Sequence, residues 1–137
     1  ERAIEAFQID MEAGLSTTCI FIIGYPYETM EHCMKSVELA AQLGCNDTNA
    51  FIYTPYHGTP MRDMCVEAGF IEDDLIVEMR SDDQGSYLNM PAPYMSREEI
   101  QYMFNNFVRL FREREKELQS SSSFVRLDTP TETIHAG

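Results

Sequence analysis

Thr17-Thr18-Cys19-Ile20-Phe21-Ile22-Ile23-Gly24-Tyr25-Pro26-Tyr27-Glu28-Thr29 decides how the rest of the chain is read. Its first seven residues are β-branched or apolar without alternation, the pattern of a parallel strand covered on both faces. Gly24 and Pro26 turn the strand into a loop. Beyond it, Met30, Cys33, Met34, Val37 and Ala41 fall on one helical stripe that Gly44 closes as a left-handed cap. A second strand is predicted over 48–54, followed by the loop Pro55-Tyr56-His57-Gly58-Thr59-Pro60 and a short helix through Cys65 that stops at Gly69. Upstream, Ile4, Phe7 and Met11 mark a helix over 2–13 that ends at Gly14. Strand, helix and strand in succession predict an α/β fold with a parallel βαβ unit. Two strands do not make a self-sufficient sheet. The missing strands are therefore expected from sequence outside this chain or from a partner, and a chain that opens on Glu1 rather than Met is expected to start mid-protein.

The character changes near residue 80. Residues 80–95 are turn-rich, with Pro91 and Pro93 close together, and read as an irregular connection. Ser96-Arg97-Glu98-Glu99 is a capping box that opens a helix with an apolar stripe of Ile100, Met103, Phe104, Phe107, Val108 and Phe111. The run 112–117 is a solvated, charged helix end. Three regions follow: an αβαβα unit over 1–79, a loop and amphipathic helix over 80–118, and a tail over 119–137. The tail is too poor in apolar residues to offset its ordering entropy and is expected to be disordered.

Composition excludes several function classes. The 137 residues are 44% hydrophobic and 24% charged, with a formal net charge of -13. That charge repels a phosphate backbone, so nucleic acid is not an expected partner. No apolar run reaches the roughly 18 residues that a bilayer span needs. Cys19, Cys33, Cys45 and Cys65 lack the short spacing of a zinc or iron-sulfur ligand set and read as buried, reduced thiols, which fits a cytoplasmic location. No metal ligand and no catalytic residue is assigned.

In parallel α/β sheets, ligands collect where loops and helix N-termini converge at the C-terminal strand ends. Gly24 lets backbone approach a ligand without a Cβ, and Pro26 stiffens the turn. Glu28 is either a ligand contact or a helix-dipole charge. The loop from Tyr53 and Thr54 onward offers aromatic surface suited to a planar heterocycle, although aromatic rings also fill cores. His57 reads as a surface or packing residue, and His32 and His135 lie too far away in sequence to complete a metal site.

Two loops carry a more specific likeness. Phe21-Ile22-Ile23-Gly24-Tyr25-Pro26-Tyr27-Glu28-Thr29 and Tyr53-Thr54-Pro55-Tyr56-His57-Gly58-Thr59-Pro60-Met61 resemble, in order and spacing, the ends of the fifth and sixth barrel strands of the radical S-adenosylmethionine superfamily. The likeness is greatest to its branch with an N-terminal cobalamin-binding domain, which includes the magnesium-protoporphyrin ester oxidative cyclases. It implies the C-terminal part of a partial (β/α)6 TIM-like barrel with a C-terminal helical extension. It also implies that Ile22, Ile23, Gly24, Pro26, Glu28, Tyr53 and Thr54 border the adenine of S-adenosylmethionine. Tyr27 stands where the family has Gly, which suggests a bulkier or less strained turn, and His57 replaces a common Pro. The Cys-x-x-x-Cys-x-x-Cys that holds the 4Fe-4S cluster does not occur in this chain, so the cluster ligands, and any cobalamin domain, are expected upstream.

The resemblance thus implies a fragment of an enzyme for radical or methyl-transfer chemistry on a small-molecule substrate, inactive without the upstream barrel. Two other readings stay open. One is a non-catalytic half-barrel that binds a partner. The other is an unrelated α/β barrel fragment using Glu28 or His57 for acid-base work.

Overall fold

A computed structural model of the chain describes residues 2–77 and 85–121. The elements are α1 (Arg2–Glu12), β1 (Thr18–Ile23), α2 (Met30–Leu43), β2 (Asp47–Ile52), α3 (Pro60–Glu67) and α4 (Arg97–Ser120). This is a mixed α/β arrangement with four helices and two parallel strands among the described residues. The expected tail lies outside them from Ser122 onward, as does the start of the expected loop at 80–84, while α4 runs on to Ser120.

Local chemistry accounts for the element ends. Thr29 caps α2 by accepting from the His32 amide, and Gly44 closes it at φ 65°. Thr59 caps α3, with Pro60 in the first turn, where its missing N–H is no loss. At α4 the capping box is complete: Ser96 Oγ accepts from Glu99 N at 3.2 Å, and Glu99 Oε2 accepts from Ser96 N at 2.8 Å.

β1 and β2 pair in register from Thr18 opposite Asp47 to Ile23 opposite Ile52. The second strand ends two residues sooner than its apolar run suggests. Tyr53 N still donates to Ile23 O at 2.8 Å, but Pro55 has no N–H with which to extend the ladder.

One sheet face is the core side. Cys19, Ile23, Thr48, Ala50 and Ile52 are buried there, Phe21 packs on Phe107 of α4 with ring centroids 5.4 Å apart, and Thr48 Oγ1 donates to Cys19 O at 3.2 Å. Ile100, Met103, Phe107 and Phe111 of α4 are fully buried, each such side chain contributing about 1.5–3 kcal/mol. The opposite face corrects the expectation of a strand covered on both sides. Ile20, Ile22 and Phe51 are 67%, 44% and 44% exposed, because α2 and α4 both lie on the core side and no described element covers the other.

Helix α4 runs antiparallel to the strands. Its Ile100 packs on Gly24 at the C-terminal end of β1, and its Arg112 Nη2 donates to Asn46 O, just before β2, at 2.9 Å. The irregular stretch before it is packed rather than loose, with Leu88, Met90 and Met95 buried. Arg97 holds it down by donating from Nε to Leu88 O at 3.0 Å and from Nη2 to Tyr87 O at 2.9 Å. No helix of the described residues is long and apolar enough to cross a membrane.

Candidate functional site

Both loops singled out in the sequence lie at the C-terminal ends of paired parallel strands, so the fold brings them together. Ile22 and Phe51 are register partners and stand side by side on the exposed face. Ile23 points the other way and is fully buried; only its backbone reaches the second loop. Of the apolar residues assigned to an adenine site, Ile22 alone presents its side chain to the open face.

Gly24 adopts φ 74°, a left-handed conformation that costs most residues about 1–2 kcal/mol. The space a Cβ would fill there is taken by Ile100, whose Cγ2 is 3.0 Å from that position. Glu28 folds back over the turn, and its Oε2 accepts from Gly24 N at 2.5 Å and Tyr25 N at 3.2 Å. Burial raises the Glu28 carboxyl above its ordinary value, and these two amides partly offset the rise. The carboxylate therefore staples the turn. Pro26 is half-buried within the same turn.

Tyr27 reverses one expectation. A side chain in the Gly position does not relax the turn, because Tyr27 keeps a left-handed φ of 65°. Its amide donates to Met90 Sδ at 3.3 Å. Its ring meets Phe70 and Tyr94 edge-on, with centroids 5.0 and 5.3 Å away. Edge-to-face pairs of this kind contribute about 0.5–1.5 kcal/mol each, enough to hold a strained tyrosine.

In the second loop, Tyr53 is buried and stacks on Tyr25 with centroids 5.2 Å apart. Its hydroxyl lies near the Thr59 hydroxyl and the Cys65 thiol without a hydrogen bond of ordinary geometry, and burial pushes its pKa up to about 12. Thr54 is half-buried, and its Oγ1 donates to Ile52 O at 3.4 Å. His57 is exposed, its Nε2 3.2 Å from Leu75 O, and is not directed at the Ile22–Phe51 face by any contact.

Sequence reasoning missed Arg62. It is only 3% exposed, yet it has no carboxylate partner among the described residues; its guanidinium donates to Pro55 O at 3.0 Å, Asp73 O at 3.0 Å and Leu75 O at 2.9 Å. It thereby holds the second loop against the segment after α3. Nothing in the sequence separates it from the exposed charges around it. Among the described residues no group of three or more His, Cys, Asp or Glu side chains converges as metal ligands do. His135 lies outside those residues.

Ile22 and Phe51 form an exposed apolar ledge beside the two loops. Among the described residues no donor set is placed to hold an iron-sulfur cluster. Compared with known proteins, the chain is 38% identical over 50 residues to a tRNA-2-methylthio-N(6)-dimethylallyladenosine synthase of Aromatoleum aromaticum (strain DSM 19018 / LMG 30748 / EbN1), a radical S-adenosylmethionine enzyme. The match takes in 36% of this chain and 11% of that protein, so it fits the superfamily and nothing finer. No protein-family model matches the chain, and no solved structure matches it significantly.

Proposed function

We propose that this chain is the C-terminal part of the barrel of a radical S-adenosylmethionine enzyme, with α4 as the helix that closes its outer side. The observation that carries the reading is the placement of the two family-like loops at adjacent C-terminal strand ends, beside the exposed Ile22–Phe51 pair. In this reading Ile22 and Phe51 give the adenine an apolar wall. Gly24, Pro26 and Glu28 shape the first loop, and Tyr53 and Thr54 border the same cavity through their backbone. Glu28 acts on the loop rather than on a substrate, since its Oε2 already takes two amides.

In the whole protein, residues outside this chain's described part would hold a 4Fe-4S cluster, which would supply the electron for cleaving S-adenosylmethionine. Radical or methyl-transfer chemistry on a small-molecule substrate would follow in the whole protein. Placement in the cobalamin-binding branch rests on the residue resemblance alone. The test is to reconstitute the full-length protein anaerobically with iron and sulfide and assay reductive cleavage of S-adenosylmethionine. Cluster-dependent 5'-deoxyadenosine is the expected product. A second reading, a non-catalytic half-barrel that binds a partner, is favoured by the same exposed apolar face, and absence of both cluster and cleavage would select it.

A further inference from the structure

Four separate contacts run from residues 90–100 onto the short loop 24–28. Ile100 occupies the space beside Gly24, and Met90 Sδ accepts from the Tyr27 amide at 3.3 Å. The Tyr94 ring packs edge-on against Tyr27, and Met95 N donates to Glu28 O at 3.0 Å. Phe70, which completes the aromatic triangle, is tied to the same stretch by Asn89 N donating to its carbonyl at 2.9 Å. A tyrosine at φ 65° is strained, and contacts from outside the loop can offset that strain.

We infer that Met90 and Tyr94 are positioning residues: the stretch before α4 is a strap that holds Tyr27 in its left-handed conformation and so fixes the loop bordering the proposed S-adenosylmethionine site. The inference rests on the family reading above. Its physical content is separable. Met90 Sδ accepts a backbone amide that would otherwise have no partner in the turn, and Tyr94 and Phe70 grip the ring on two sides. Because Tyr27 is followed directly by Glu28, rotation of the Tyr27 backbone would carry the Glu28 carboxylate off the Gly24 and Tyr25 amides.

The experiment uses the full-length protein with its cluster, Met90→Leu, and Met90→Leu combined with Tyr27→Gly. Leu conserves volume and removes the sulfur acceptor, so the variant folds. Two quantities are read: amide hydrogen exchange across 24–29, and the Kd for S-adenosylmethionine by equilibrium dialysis. Met90→Leu is expected to speed exchange at Tyr27 and Glu28 and to weaken binding about fivefold. Adding Tyr27→Gly is expected to restore binding, since glycine takes a positive φ freely. A purely packing role for the strap predicts the opposite, because the double variant also loses the ring. Unchanged exchange in Met90→Leu overturns the strap by itself. Normal exchange effects with unchanged Kd overturn its link to the cofactor, and wild-type protein that binds no S-adenosylmethionine overturns the family reading beneath it.

Discussion

Ile100 fills the place of the side chain that Gly24 lacks, its Cγ2 and Cδ1 lying 3.0 and 3.1 Å from where a Cβ would stand. Gly24→Ala therefore meets two penalties, a strained φ and a Cβ that must push the Ile100 side chain aside by a few tenths of an ångström, together about 2–5 kcal/mol. Urea unfolding of the single variants and of Gly24→Ala combined with Ile100→Ala should show a coupling of about 1 kcal/mol, because removing Ile100 relieves the clash. Strict additivity would refute the contact.

Ile22 and Ile23 should respond oppositely to charge. Ile22 is on the exposed face, so Ile22→Asp leaves the fold intact and weakens S-adenosylmethionine binding by the full-length protein about tenfold or more. Ile23 is fully buried, so Ile23→Asp prevents folding. Circular dichroism and equilibrium dialysis separate the two. Normal affinity in a folded Ile22→Asp variant removes Ile22 from the site.

Arg62→Met leaves the Pro55 and Asp73 carbonyls without their buried donor and costs about 3 kcal/mol in urea unfolding. Arg62→Lys recovers only part of that, because an ammonium cannot span three carbonyls as a planar fork does. Wild-type stability in Arg62→Met would show the clamp to be idle.

The pH dependence at Glu28 has a definite sign. The folded carboxyl holds its proton more tightly than the unfolded one, so the stability it contributes is present below the ordinary carboxylate value and is lost as pH rises through the raised value. Glu28→Gln keeps an acceptor for the Gly24 and Tyr25 amides without a charge. It should flatten that part of a stability profile above the ordinary carboxylate value and be at least as stable as wild type at neutral pH. Glu28→Ala, which orphans both amides, should lose about 2 kcal/mol below the ordinary carboxylate value and less as pH rises through the raised one. A profile that Glu28→Gln leaves unchanged would assign the dependence elsewhere.

All four thiols should be silent to a disulfide reagent until the chain unfolds. Each is buried, and burial together with the Glu28 charge pushes Cys33 up to about 12. Fast labelling of any one in folded protein would contradict its placement.

Much of the frame was legible because it is written in local chemistry. The caps at Gly44 and Ser96 and most of the α4 stripe follow from spacing alone, whereas Val108 of that stripe is exposed. What could not be read depends on partners distant in the chain. The run from Cys19 to Ile23 is apolar throughout, so it carries no alternation to say that Ile22 faces out and Ile23 faces in. The left-handed Tyr27 depends on Phe70, Met90 and Tyr94 and the buried Arg62 on the carbonyls of Asp73 and Leu75, and no local pattern announces either.

Helix α4 is fastened at two heights, by Ile100 beside Gly24 and by Arg112 on Asn46. At 1.5 Å per residue the stretch between them is roughly 18 Å long. A strand of six residues such as β2 measures about 20 Å. The helix is thus a strut cut to the height of the sheet. One residue inserted between the fastenings would swing the lower one about 100° round the axis and away from Asn46. Exposed positions such as Tyr102, Val108 and Arg109 can change identity freely, but the number of residues in that interval cannot change without releasing one end of the strut.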